Sequence, residues 1–167
     1  MLVLGIDPGL AITGYGLVKD EDDHLTLMDY GVITTAPDLP SPQRLKEIYE
    51  RLTAIVRERE PAVAAVEKLF FAKNVRTAFS VGQARGVALL AIANAQVRVY
   101  EYTPLEVKQA VVGYGRATKD QVQQMVKMLL RLDIVPQPDD AADAIAVAIC
   151  HLHSARMKAM LAEQRER

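Results

Sequence analysis

Residues 2–18 read LVLGIDPGLAITGYGLV. An apolar run from Leu2 to Ile6 ends on Asp7, a Pro8-Gly9 turn follows, and a second β-prone run spaced by Gly14 and Gly16 returns. A proline-glycine turn between two such runs predicts a hairpin. The carboxylate at the tip of its first strand is the informative residue. An acid held in a dry, low-dielectric place either raises its pKa or finds a cation, so Asp7 requires an arginine, a lysine, a backbone nest or a metal ion. The identity of that partner decides what the protein does.

Working outward, HLTLMDYGVITT (24–35) reads as a third strand, AVAAVE (62–67) as a fourth that also ends on an acid, Glu67, and VRVYEY (97–102) as a fifth. Between them, Ser41 followed by Pro42 predicts an N-cap and first-turn proline for a helix with Leu45, Ile48, Leu52 and Ile55 at helical spacing. A long helix is expected over Asn74 to Ala95, with Phe79, Gly82, Gly86 and Leu90 along one stripe. Thr103-Pro104-Leu105-Glu106 and Thr118 with Gln121 are capping boxes opening two more helices, the second carrying Val122, Met125, Val126 and Leu129. A last helix starts near QPDDAADAIAVAIC. Three antiparallel strands followed by alternating helices and strands define an α/β class with a mixed five-stranded sheet flanked by helices. If the first and fourth strands are parallel neighbours, Asp7 and Glu67 emerge together at one end of the sheet.

The chain has 167 residues and is half apolar, enough for one well-buried core and short for two. The expectation is a single domain over 1–156 and a charged C-terminal tail, 157–167, that frays. The first apolar run lacks a basic leader and the longest later one, near GVALLAIANA, is too short to span a bilayer, which predicts a cytoplasmic protein with no membrane partner. One cysteine, Cys150, excludes a disulfide framework and reads as a buried inert thiol. The neighbouring CHLH (150–153) lacks a second ligand pair at zinc spacing and is a weak metal candidate. The net charge is -1, but its distribution is uneven. Residues 1–67 hold 6 Lys+Arg and 12 Asp+Glu, whereas residues 68–127 hold 9 and 3, so the middle of the chain offers cations to a polyanion.

Asp140 and Asp143 lie three apart at the start of the last helix and project from one face. First-turn acids complement the helix dipole and Asp139 serves as an N-cap, which explains Asp139 and Asp140 without chemistry but leaves Asp143 unexplained. The alanines around it let this helix lie close against a sheet edge. Four carboxylates converging without counter-charge repel one another, and a divalent cation resolves the conflict. Oxygen ligands without a His or Cys cluster favour Mg²⁺ or Mn²⁺. Two such ions, about 3.5 to 4 Å apart, suit in-line phosphodiester displacement.

GIDPGLAITGYG (5–16), AVEKLFFAKN (65–74), GQARGVALLA (82–91), VKQAVVGYGRATKDQVQQMV (107–126) and DDAADAIAVAICH (139–151) resemble, in order and separation, the RuvC family of Holliday-junction resolvases. The resemblance covers nearly all of residues 1–156. It implies a ribonuclease-H-like fold, a homodimer, Mg²⁺- or Mn²⁺-dependent cutting of two symmetric strands of four-way junction DNA in recombination and repair, and cooperation with the RuvA and RuvB branch-migration proteins. Carried over by position, the catalytic and metal-holding acids are Asp7, Glu67, Asp140 and Asp143. The third position is not always Asp in the family, so the set here is the more anionic version. Lys108 and Lys119 match cations near the scissile phosphates, with Arg116 in the basic VGYGRATK between them, and Phe70 matches an aromatic at the junction centre. Lys68 inherits no role.

On the Asn74–Ala95 helix, Gly82 and Gly86 share a face and Phe79, Val87, Leu89 and Leu90 supply apolar area, which serves packing within the monomer as well as pairing of two copies, and the resemblance implies the pairing. Two rival readings exist. A strand, Asp-x-Gly and glycine-spaced hairpin also wrap nucleotide phosphates in actin-like ATPases, but those need two such domains. A non-catalytic nucleic-acid binder would instead pair Asp7 and Glu67 with lysines.

Overall fold

The computed structural model describes residues 1–22, 24–68 and 75–165. Its frame is one five-stranded sheet of β1 (Leu2–Asp7), β2 (Ile12–Glu21), β3 (His24–Thr34), β4 (Val63–Glu67) and β5 (Arg98–Tyr102), ordered β3-β2-β1-β4-β5. The first three strands are antiparallel, and β4 and β5 continue parallel to β1. The mixed sheet is therefore the one its sequence predicts. Two side-chain hydrogen bonds stiffen the turn after β1. Thr13 donates to the carbonyl of Gly9 at 2.7 Å, and Thr35 donates to that of Leu10 at 2.6 Å.

Alternation along β1 sends its residues to two separate cores. Leu4 and Ile6 pack with Ile48, Leu52 and Val56 of α1 (Ser41–Arg59) and with Ala84, Ala88 and Ile92 of α2 (Val75–Asn94). Val3 faces the other way, toward α3 (Pro104–Val112), α4 (Lys119–Leu129) and α5 (Asp139–Arg165). Both expected capping boxes form, Thr103 with Glu106 and Thr118 with Gln121. The α1 cap differs from expectation. Pro40 is the capping residue, no side chain caps the end, and Ser41 already lies inside the helix, because Pro42 is compatible with either of the first two helical positions.

The position of α5 is set by residues without side chains. Gly5 and Gly14 leave no room for a β-carbon, which would meet the backbone carbonyls of Ala144 and Asp140, and Gly16 lies under Ile145. The helix contributes Ala141, Ala144 and Ala148 in return, all buried. It consequently crosses β1 and β2 in the middle of the sheet, not at the edge that the alanines alone suggested. The helix runs on through residues 157–165.

On the opposite layer, the Ala84, Ala88, Ala91 and Ile92 side of α2 is buried, while Phe79 is 70% and Leu90 53% exposed. Among the described residues, Gly82 and Gly86 have nothing within 4 Å of where a β-carbon would stand. Val87 and Leu89, expected on that open face, instead pack partly into the α1 side of the core, because they sit on the flanks of the buried stripe. The CHLH run is structural. Tyr102 hydroxyl and His151 Nδ1 lie 2.8 Å apart, His153 Nδ1 lies 2.8 Å from the Ala110 carbonyl, and Cys150 is buried. Burial pushes the Cys150 thiol up to about 12, which makes it unreactive.

The contact at Gly14 is testable by adding one methyl group. Gly14→Ala should lose about 1–3 kcal/mol in thermal or urea unfolding, the cost of forcing atoms into a filled contact. Unchanged stability would mean that α5 is not seated on the backbone of β2.

Candidate active site

Parallel pairing puts Ile6 opposite Val66, so Asp7 and Glu67 follow side by side at the ends of β1 and β4. On its other flank Asp7 pairs with Gly14, the residue over which the first turn of α5 passes. One helix start and two strand ends thus bring Asp7, Glu67, Asp140 and Asp143 to one place. The helix begins at Asp139 with Pro138 before it, whose carbonyl accepts from Ala141 at 3.0 Å. Asp139 is therefore inside the first turn and not the N-cap its sequence position suggested.

The electrostatics are those of an anion cluster short of cations. Burial, then Glu67, Asp143 and Asp140 in that order, push Asp7 up to about 8, and its carboxyl is hydrogen-bonded to that of Glu67. Glu67 is also raised, by burial and by Asp143, against the opposing effects of the Asp7 hydrogen bond and of Lys119 and Lys108. Asp143 is raised by burial despite its contact with Lys119. Lys119 Nζ lies 2.9 Å from Asp143 and 3.4 Å from Asp139. Burial lowers the lysine's affinity for its proton, but these two acids more than offset it and leave its pKa raised.

A cleft of about 180 Å³ adjoins the acids, lined by Glu67, Asp143, Lys108, Lys119 and apolar residues of α3, α4 and α5. Larger hollows, of about 450 and 630 Å³, contain none of the four acids and lie elsewhere on the surface. Lys108 is half-buried on α3 and Lys119 exposed at the start of α4, so the two predicted lysines share the cleft. Arg116 is exposed on the α3–α4 turn and does not line it. Phe70 lies outside the described residues. Sequence reasoning missed that Asp139 clasps Lys119, although Asp139 and Asp143, four apart, had the spacing to share a cation.

The donor set fits a hard divalent cation, since it offers carboxylate oxygens and no thiolate or imidazole. Among the described residues, no group of three or more His, Cys, Asp or Glu side chains is placed to hold a metal ion as the side chains stand. Instead the Lys119 ammonium is paired with Asp143. Such a site suits charge neutralisation of a phosphodiester better than nucleophilic or acid–base catalysis by a lone side chain.

The strand ends of the mixed sheet thus carry an acid cluster, with lysines on the adjoining cleft. A similar arrangement of backbone occurs in the yeast mitochondrial Holliday junction resolvase Ydc2, with a TM-score of 0.66 over 90% of this chain and 77% of that one, at 14% identity, a likeness of fold alone. The chain belongs to the crossover junction endodeoxyribonuclease RuvC family, whose model matches residues 3–151. It is 56% identical over 160 residues to the crossover junction endodeoxyribonuclease RuvC of Alkaliphilus metalliredigens, covering 96% of this chain and 98% of that protein. Among solved structures it is similar to Thermus thermophilus RuvC in complex with a Holliday junction substrate, with a TM-score of 0.90 and 38% identity over 95% and 96% of the two chains.

The crowding of carboxylates has a consequence for stability. Folded Asp7 keeps a proton up to about pH 8 that the unfolded chain releases near its ordinary value of 3.8. The folded state binds more protons in that window, so stability falls as pH rises from about 4 to 8 and levels off above. Melting curves at pH 5.5 and 8.0 should show a smaller drop for Asp7→Asn than for wild type, and added Mg²⁺ should recover more of the loss in wild type. Parallel pH dependence in the two proteins would contradict this origin of the strain.

Proposed function

We propose that the protein resolves four-way (Holliday) DNA junctions by paired, symmetric phosphodiester hydrolysis, in homologous recombination and DNA repair. The observation that carries this reading is the Asp7–Glu67 pair with Asp140 and Asp143 brought over it from α5. Asp7, Glu67, Asp140 and Asp143 act as ligands for two Mg²⁺ or Mn²⁺ ions per site. Bound there, the ions supply activation of water and charge neutralisation at the phosphate. In each cut, water oxygen bonds to phosphorus, one P–O ester bond breaks, and the strand ends carry a phosphate and a hydroxyl. Lys119 and Lys108 face the scissile phosphate across the cleft and offset charge that develops on its oxygens. Arg116 contacts the DNA backbone further out, and Phe70 stacks on an unpaired base at the junction centre, a contact worth about 1–3 kcal/mol.

Among the described residues each chain has one such acid cluster, whereas resolution into two duplexes needs two opposed cuts, so the working unit is a homodimer. Its pairing surface is the open stripe of α2, where Phe79 and Leu90 are exposed around Gly82 and Gly86. Apolar area of this kind, with glycines permitting close helix approach, favours association of two copies. The nuclease unit is residues 1–156, with 157–167 an appended tail. RuvA and RuvB supply the junction in a branch-migrating complex. Among the described residues no helix is long and apolar enough to cross a membrane, and we place the enzyme in the cytoplasm.

Asp7→Asn, Glu67→Gln, Asp140→Asn and Asp143→Asn each keep shape and remove charge, so each should lower cleavage of a synthetic four-way junction by more than about 10²-fold. Junction binding should be equal or tighter, because fewer anions then face the phosphates. Near-normal cutting by the Asp7 or Glu67 variant would reject the assignment.

Sedimentation tests the dimer separately. Wild type should run at twice the chain mass of 18.4 kDa at micromolar concentration. Phe79→Asp, a change at a position 70% exposed in the monomer, should run at the chain mass while remaining folded. A wild-type monomer, both free and on junction DNA, would leave paired incision without a mechanism.

A further inference from the structure

Asp139 stands beside the four acids without being one of them. Its side chain is 52% exposed, and it precedes Asp143 by four residues, hence by about one turn on the same face of α5. The ammonium of Lys119 sits between the two, 2.9 Å from Asp143 and 3.4 Å from Asp139. The backbone from which Lys119 springs is firmly placed. It is the first residue of α4, directly after the Thr118–Gln121 capping box, and the Tyr114 hydroxyl donates to the same Gln121 oxygen at 2.9 Å. Asp139 has a second polar neighbour in Gln123, whose buried Nε2 lacks a well-formed hydrogen bond. More than half exposed and flanked by that amide and Lys119, the Asp139 carboxylate stands outside the crowded cluster.

The two anchors of Lys119 are unequal in what else they have to do. Asp143 belongs to the acid cluster and spends its charge on a divalent cation whenever one is held there. A lysine carries a compact charge on a flexible four-carbon stem, and with its inner anchor neutralised it would swing into solvent. Asp139, outside the cluster, keeps its charge in both conditions. We propose that Asp139 is a positioning residue that retains the Lys119 ammonium at the mouth of the cleft when Asp143 is engaged by metal. The contribution is one of place and not of fold stability, since exposed ion pairs add little to the latter. This inference rests on the reading of Lys119 as a phosphate-facing cation.

The test combines cleavage with a measurement that involves no cleavage. In single-turnover assays at saturating junction, Asp139→Asn should cut about two- to fivefold more slowly than wild type, the range that an exposed ion pair commands. Its junction affinity in EDTA should be unchanged or higher, and Asp139→Glu should recover most of the rate. In a Lys119→Ala background, Asp139→Asn should cause no further loss. Without DNA, acylation of the Lys119 amine, read by mass spectrometry, should be equally slow for wild type and Asp139→Asn in EDTA. In Mg²⁺ the variant should label about two- to fivefold faster. Equal labelling in Mg²⁺, or a rate loss that persists in the Lys119→Ala background, overturns the proposal. If Lys119→Ala itself cuts at the wild-type rate, the reading of Lys119 fails; if only Asp139→Asn does, that reading stands and this inference alone falls.

Discussion

The structure depends on how closely α5 approaches the sheet. Helices usually pack on sheets through layers of side chains, but here Gly5 and Gly14 present bare backbone to the carbonyls of Ala144 and Asp140. Alanines on the helix face complete the contact. Removing side chains from both surfaces gives up apolar burial that larger residues would provide. What it gains is position. The first turn of α5 is brought down to the strand ends, so that carboxylates from a helix and from two strands occupy one site. Any side chain at Gly14 would raise the helix by its own thickness and separate the two halves of the cluster.

Held together in this way, the acids oppose the fold that gathers them. Asp7 is raised to about 8 by burial and by three neighbouring carboxylates, and Glu67 and Asp143 are raised with it. The protein groups relieve this only in part. Asp7 and Glu67 share a hydrogen bond, and Lys119 leans on Asp143 from outside. An arrangement that optimised stability would place a second cation in the cluster or exchange an acid for its amide. The residual repulsion is what an external cation would relieve, because the free energy stored in the crowded acids is released when charge is supplied. Lys119 differs in that its flexible stem carries the ammonium on the outer side of Asp143, within reach of Asp139 as well.

Much of this was legible in the sequence because period and punctuation are local properties. The hairpin at Pro8-Gly9, both capping boxes and the acid at the end of AVAAVE needed only neighbours in the chain, and parallel pairing of β1 with β4 then placed Asp7 beside Glu67. What failed depended on contacts across the fold. Asp139 reads as a cap by position and by residue type, but its carboxylate is claimed by Lys119, twenty residues earlier on a different helix. Alanines predicted close packing of α5 without telling edge from centre, since that choice is made by Gly5, Gly14 and Gly16 on the partner surface. Val87 and Leu89 have the composition of a surface patch and the angular position of core flanks, and angle prevailed.

The glycines show most directly why composition needs geometry. Gly14 and Gly16 on β2, and Gly82 and Gly86 on α2, are both small-residue pairs within apolar surroundings, and no local signal separates them. In the fold their environments are opposite. The β2 pair is crowded by backbone and side chain of α5, and its lack of a β-carbon is fully used within the monomer. Among the described residues nothing lies within 4 Å of a β-carbon built on the α2 pair, although glycine inside a helix costs about 1 kcal/mol relative to alanine. A fold gains nothing from bearing that cost twice on an exposed face, beside a phenylalanine that is 70% exposed. The cost is offset only if another backbone approaches there. Within one chain, then, the same residue marks a contact already made on β2 and, on α2, the open face on which the proposed pairing rests.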